Sequence, residues 1–305
     1  MAWNLLRRKE PCAEPIHSPP LLAGRYRIGA KIGAGSAAEV FAAVDMRSGE
    51  AVAVKRVALP SGLDAAARED WLARLHRESD LARRLNHPDI LKVLHSGLGR
   101  HWAWLVMERV HGVDLARYTQ RQRLLPEALV LRIGARLGAA LAHAHGQSIV
   151  HRDLKPANVL IDLGRGQLKL ADFGIARHED AQLTRTGMTL GTPSYMAPEL
   201  LAGDLASAAS DTYALGVMVY ELLCGRRPHQ ASNLGELLRA TSQQAPTPLS
   251  ALRPDLPAAV VRSVEQLLTR RPQDRPSDLA AWAAEMAGLA AVLARVLSPD
   301  AAMRL

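Results

Sequence analysis

Cysteine is nearly absent: Cys12 and Cys224 are the only two in 305 residues, far apart and without metal-ligand spacing. That argues against a disulfide framework and sets a reducing, cytoplasmic compartment as the expectation. Aromatic residues are scarce at 4%, so the formal net charge of +8 has few stacking surfaces to work with. The positive excess is also scattered. Its longest runs, Arg7-Arg8-Lys9 and Arg226-Arg227, are too short for a binding tail. A solvated basic surface is the expectation, not a nucleic-acid partner. No apolar run approaches a bilayer span, so no membrane anchor is expected. Met1 to Glu10 is too short and too charged in its middle for a secretory signal. Lysine is the last scarcity, 6 against 32 arginines. Lysine placement is therefore informative, because a compact ammonium on a flexible stem is not replaceable by an arginine fork.

What is present is enough apolar material for a sizeable core, 48% of residues, in a chain longer than one typical domain. Residues 1–23 hold Pro11, Pro15, Pro19 and Pro20 with no apolar period and read as a flexible lead-in. From Tyr26 to Val57 three short strand-like runs alternate with turn signals at Gly33-Ala34-Gly35 and Ser48-Gly49-Glu50, which predicts an antiparallel meander. Apolar spacing predicts a helix over 64–85, stopped by Asn86-His87-Pro88. Strands are predicted again over Ile90–Leu94 and Trp102–Glu108. After Gly112 the pattern turns helical, over 126–145, 207–224, 234–241, 257–268 and 277–297, with a small hairpin pairing 159–161 with 168–170. Strands first and helices after imply an α+β fold of two lobes, a small antiparallel sheet with one helix, about 24–108, and a larger mainly helical part, about 113–289. Residues 290–305 continue as a helical extension and tail. The Glu108–Gly112 connection marks a cleft where a ligand would sit.

Four motifs carry chemistry. Gly33-Ala34-Gly35-Ser36-Ala37-Ala38-Glu39-Val40 lies between two strands, where glycines let backbone N–H groups approach phosphate oxygens. Alone it is also an ordinary hairpin. No helix follows it, which argues against a dinucleotide or Walker-type site. Lys55 is read at the end of the apolar strand Ala51-Val52-Ala53-Val54, where a lysine must snorkel out or meet an anion. Glu78 on the following helix is its preferred partner over Glu69, because Leu81 and Leu85 mark the packed face beside Glu78. His151-Arg152-Asp153-Leu154-Lys155-Pro156-Ala157-Asn158 and Asp172-Phe173-Gly174 supply two carboxylates, an amide and a lysine. Any one of those Asp or Asn residues alone would read as a turn residue. Their order and intervals together suit a magnesium ion that borrows phosphate oxygens.

With these motifs on one chain, the sequence resembles the protein kinase family, and within it the bacterial eukaryotic-like Ser/Thr kinases. The resemblance runs from about Arg25 to Leu289. It includes Gly191-Thr192-Pro193-Ser194-Tyr195-Met196-Ala197-Pro198-Glu199, Asp211 and Arg275. It implies ATP with Mg2+, or Mn2+, as cofactors and protein serine or threonine hydroxyls as acceptors. Asp153 is then the base, Lys155 neutralises charge on the transferred phosphoryl, Lys55 holds the inner phosphates and pairs with Glu78, and Asn158 and Asp172 ligate the metal. Ile32, Gly33, Gly35, Val40, Ala53, Met107 and Leu160 would enclose the nucleotide, with Met107 at the back and backbone groups of Glu108 and Val110 on the adenine edge. Thr192, Glu199, Asp211 and Arg275 are implied as structural supports, Glu199 with Arg275 as a buried pair. Arg152 before Asp153 implies control by phosphorylation of the segment after Asp172, with Thr184 and Thr186 the first candidates and Thr189 the third. A kinase-domain dimer, phosphorylating in trans, is a further expectation. One departure stands out: the third glycine of the loop is Ala38.

Two other classes compete. A non-catalytic relative on the same fold would lack charged residues that are present here. A small-molecule phosphotransferase would share the Asp and Asn loop but lack the Gly191–Glu199 segment.

Overall fold

The computed structural model describes residues 21–35, 38–59, 62, 64–99, 102–173 and 193–297, side chains at 65, 74–76, 78 and 296–297 excepted. Strands β1 (Tyr26–Ala34), β2 (Ala38–Asp45) and β3 (Ala51–Ala58) form the predicted meander. Helix α1 (Ala65–Arg84) follows, then β4 (Val93–Leu98) and β5 (Trp102–Glu108), giving a sheet in the order β1-β2-β3-β5-β4. Alternation along central β3 divides the small lobe's core. Val52 and Val54 pack with Tyr26, Ala43 and Val106 on one face. Ala53 and Val57 pack with Trp71, Ala82 and Leu105 on the other, which α1 covers. Asp64 caps α1 by accepting from the Ala67 N–H at 2.8 Å, and Arg83 and Arg84 sit in its last turn, where the helix dipole favours cations.

Two expectations need correction here. Lys55 does not end its strand: β3 runs on to Ala58, because it is paired on both sides, with Lys55 opposite Val40 and Leu105. Period two then puts Lys55 on the α1 face with Ala53 and Val57, so it points into the lobe, not along its rim. The strand predicted over Ile90–Leu94 is displaced, starting at Val93. Ile90 forms a parallel bridge with Leu170, and the Leu91 N–H donates to the Leu170 carbonyl at 2.8 Å. That backbone is tied to the large lobe, so it cannot join the small-lobe sheet.

The large lobe begins with β6 (Val113–Asp114), helix α2 (Glu127–His145) and the hairpin β7 (Val159–Asp162) with β8 (Gln167–Leu170). The expected hairpin is a three-stranded sheet, β6-β7-β8, since a two-residue strand is too short to show a period. Then come α3 (Pro198–Ala202), α4 (Ala208–Cys224), α5 (Leu234–Gln243), α6 (Leu249–Leu252), α7 (Ala258–Leu267) and α8 (Leu279–Leu297). Every residue from Ser210 to Cys224 is buried, so α4 is the axis of this lobe. A reciprocal capping box between Ser207 and Ser210 starts it, and Gly225 at φ +70° ends it. Helix α8 lies along α2, where Gly134 and Gly138 admit the Trp282 ring, and Trp282 Nε1 donates to the Ser263 carbonyl at 3.0 Å. Past Leu289, buried Ala290 and half-buried Leu293 still pack on the main core.

Candidate active site

The loop after α2 carries Asp153, and its shape is imposed from below. Buried Asp211, in the first turn of α4, accepts from the His151 N–H at 2.7 Å and the Arg152 N–H at 3.0 Å. His145, ending α2, reaches the same carboxylate with Nε2 at 2.8 Å. Between these anchors Arg152 adopts φ +67°, a left-handed conformation a bulky residue holds only when its surroundings over-determine it. His151, fully buried, ties down the segment that follows β8, with Nε2 2.9 Å from the Ala171 carbonyl and its ring 4.6 Å from the Phe173 ring.

Above this support the charged groups meet. Lys155 Nζ donates to Asp153 Oδ2 at 2.7 Å. Asn158 Nδ2 donates to the Asp153 carbonyl at 2.7 Å and to Asp153 Oδ2 at 3.2 Å. Those two bonds orient the amide and leave Oδ1 as its acceptor. The Asn158 carbonyl accepts from the Ala171 N–H at 2.8 Å, which sets Asp172 next to it. Asp172, also left-handed at φ +64°, accepts from Lys55 Nζ at 2.6 Å. So Lys55 with Asp172, and Asp153 with Lys155 and Asn158, are two sets of contacts set side by side by the Ala171 bond to Asn158, with one cation in each and oxygen ligands between. Glu78 lies on α1, but its side chain is outside the described residues; the described partner of Lys55 is Asp172.

Such an arrangement suits polyphosphate and a hard divalent cation. Among the described residues no group of three His, Cys, Asp or Glu side chains could cage a metal alone. Two oxygen ligands, one carboxylate and one amide, fit magnesium instead, which keeps waters and shares phosphate oxygens. Beside them Val40 and Val110 pack against buried Ala53 and Met107, with Ala53 and Met107 directly opposite in register. Gly33 pairs with Val40, and the Gly35 N–H closes on the Ala38 carbonyl at 2.7 Å. Ile32 is exposed on β1, and Leu160 is half-buried on β7 opposite Lys169, outside the Val40–Met107 cluster. Glu108 has its N–H bonded to the Lys92 carbonyl at 3.0 Å, so its carbonyl is the backbone group it can still offer.

The supports lie deeper. The Arg275 side chain is 0% exposed and Glu199 10%, joined by bonds of 2.6 and 2.8 Å. Arg275 Nε bonds the Thr269 carbonyl, and Nη1 and Nη2 bond those of Ala209 and Arg270, so all five guanidinium N–H donors are used. Thr184, Thr186, Thr189 and Thr192 lie outside the described residues. Three features escaped sequence reasoning. They are His145 under Asp211, the 2.7 Å pair of Lys169 with Glu108, and Arg136 bonding Asp89, each joining residues far apart in the chain with no motif. The scarcity of lysine could have flagged Lys169.

Comparison with known proteins meets this geometry. A model of the protein kinase domain matches residues 26–287. A probable serine/threonine-protein kinase of Corynebacterium efficiens is 36% identical over 282 residues, covering 90% of this chain and 42% of the relative. The serine/threonine-protein kinase PknA of Mycobacterium tuberculosis is 39% identical over 261 residues, covering 83% and 58%. The chain thus spans about half the length of these curated relatives. The crystal structure of the Mycobacterium tuberculosis PknI kinase domain superposes with a TM-score of 0.70 at 30% identity, covering 90% of this chain and all of that one. Among the described residues no helix is long and apolar enough to cross a membrane. From residue 26 to residue 287, in both sequence and two-lobed fold, this chain belongs to the protein kinase domain family.

Proposed function

We propose that this chain is an ATP-dependent serine/threonine protein kinase of bacterial type, moving the γ-phosphoryl group of ATP to protein hydroxyls. The observation that carries it is the meeting in one cleft of the Lys55–Asp172 pair with Asp153, which Lys155 and Asn158 both bond, the two sets joined through the Ala171 N–H bond to the Asn158 carbonyl. Lys55 would hold the inner phosphates, Gly33 and Gly35 would cover them, and Val40, Ala53, Met107 and Leu160 would enclose the base. Ile32, Glu108 and Val110 would complete that pocket. Asn158 and Asp172 would hold magnesium, which when bound neutralises phosphate charge. Asp153 takes the hydroxyl proton at Oδ, and Lys155 draws charge from the moving phosphoryl. Phosphoryl transfer asks for little covalent work, so positioned charge accounts for the catalysis.

The finer parts belong to the same reading. Glu78 would pair with Lys55 when Asp172 turns to the metal. Thr192, Glu199, Asp211 and Arg275 would act as supports. Thr184 or Thr186 would be phosphorylated, in trans within a dimer, and the phosphate would be drawn toward Arg152. The kinase domain would span 24–289, between the lead-in of 1–23 and the tail of 290–305, and would act in the cytoplasm, where ATP is supplied. The Ala-Pro-Glu segment ending in Glu199 favours protein over a small-molecule acceptor.

Asp153→Asn tests the base. Transfer of radioactive γ-phosphate to a protein acceptor should fall on the order of 10²–10⁴-fold, with ATP affinity retained. Undiminished transfer sinks the assignment. Intact mass before and after phosphatase tests the Thr184 and Thr186 reading, and full activity with neither phosphorylated ends it.

A further inference from the structure

Tyr195 lines a second cavity beside Asp153. Asp153 and Tyr195 both line it, together with Arg152, Met196, Leu200 and Asp211. The position of Tyr195 depends on a charge behind it. Its hydroxyl donates to Glu221 Oε2 at 2.5 Å. Glu221 is buried near the C-terminal end of α4, where both desolvation and the helix dipole oppose a carboxylate. Burial, then the Glu221 charge, push the Tyr195 phenol well above its ordinary pKa, so it remains a donor. A neutral donor does not balance a buried charge. Arg227, in the turn after α4, does: Nε donates to Glu221 Oε1 at 3.1 Å, and the guanidinium carbon lies 5.6 Å over the Tyr195 ring. One arginine therefore holds Tyr195 twice, through the carboxylate and through the ring face.

We infer that Arg227 is a positioning residue for the protein acceptor, acting through Glu221 and Tyr195, which shares a cavity with Asp153. The inference rests on the kinase reading above. Arg227 does not line the cavity, and its described side-chain partners are Glu221 and the Tyr195 ring, so it acts on neither ATP nor the phosphoryl group. Without it, the buried Glu221 carboxylate loses its cation and is free to turn, and Tyr195 follows the partner it is bonded to.

The test compares wild type, Arg227→Met and Arg227→Lys as full chains, with myelin basic protein as acceptor. Three quantities are read: kcat/KM for acceptor, KM for ATP, and ATP hydrolysis without acceptor. Arg227→Met should lower acceptor kcat/KM by about tenfold, mainly through KM, while ATP KM and acceptor-free hydrolysis hold. Arg227→Lys, which keeps the charge beside Glu221, should recover part of the loss. An unchanged acceptor kcat/KM, or hydrolysis falling in parallel with it, overturns the inference. Should Arg227→Met fail to fold, Tyr195→Phe removes the hydroxyl and keeps the ring, and the same split is required of it. A wild type that labels no protein at all refutes the kinase reading instead, a result distinct from a wild type and variant that label equally.

Discussion

Two ion pairs of similar length, one in the helical lobe and one in the cleft, have opposite surroundings. Arg275 and Glu199 are sealed at 0% and 10% exposure, and every guanidinium N–H has an acceptor. Lys55 and Asp172 meet at 2.6 Å with 16% and 37% exposure, through a single described bond of an ammonium that has three donors. A saturated pair in a dry site has no cheaper arrangement and stays. A pair at an open cleft can exchange its partner for a phosphate or a metal. The difference teaches how one chain separates scaffold from chemistry: burial and full hydrogen bonding mark the first, and partial exposure marks the second.

Each region can be broken separately. The largest effect is expected in the cleft. Lys55→Met should reduce phosphate transfer by roughly 10²-fold or more, the scale of losing one aligned charge at a reacting phosphate, while the melting temperature stays near wild type. A large loss of melting temperature would mean that Lys55 is scaffold and the contrast is false. In the helical lobe, Arg275→Met strands a buried carboxylate and should cost about 3–5 kcal/mol of unfolding free energy, measured by urea titration. A change below about 1 kcal/mol would place the pair among ordinary surface bridges. Smaller still is Gly216→Ala on α4. Its new methyl would stand 2.7 Å from Leu267 Cβ, forcing α4 and α7 apart at about 1–3 kcal/mol with kinetics retained.

The smallest effect sharpens the comparison within the small lobe. His95 accepts from Arg25 Nη1 at 3.2 Å and bonds the Tyr26 hydroxyl through its other ring nitrogen. Burial, then the Arg25 charge with Arg83 and Arg47 behind it, lowers its pKa, against the opposing pull of Asp45. The folded protein thus binds this proton less readily than the unfolded chain. Stability from this site is whole above the ordinary histidine pKa of about 6.5 and declines as pH falls from there toward the lowered value. His95→Gln should flatten that decline in melting temperature, and an identical pH profile in the variant would discount the site.

The residues from His151 to Asn158 and Asp172 to Gly174 were legible because phosphate chemistry needs fixed residue types at fixed intervals. The meander was legible because strand period and turn glycines are local. The strand at Val93 was not, because Ile90 and Leu91 bond β8, a partner eighty residues away. Lys55 was misplaced for a related reason: pairing with both β2 and β5 extends β3 beyond its apolar run. His145, Lys169 and Arg227 carry no motif, so their roles depend on what lies opposite them.

Local chemistry written into the sequence by itself determined the class of fold, the two lobes and the phosphate-handling residue types. Tertiary structure alone decided which carboxylate Lys55 meets, that His145 joins Asp211 beneath the Asp153 loop, and that Arg227 stands behind Tyr195. The physical reason is range. Helix and strand periods, turns and motif spacings act over a few residues, whereas the partner of a buried charge is whatever the folded chain brings within about 3 Å of it.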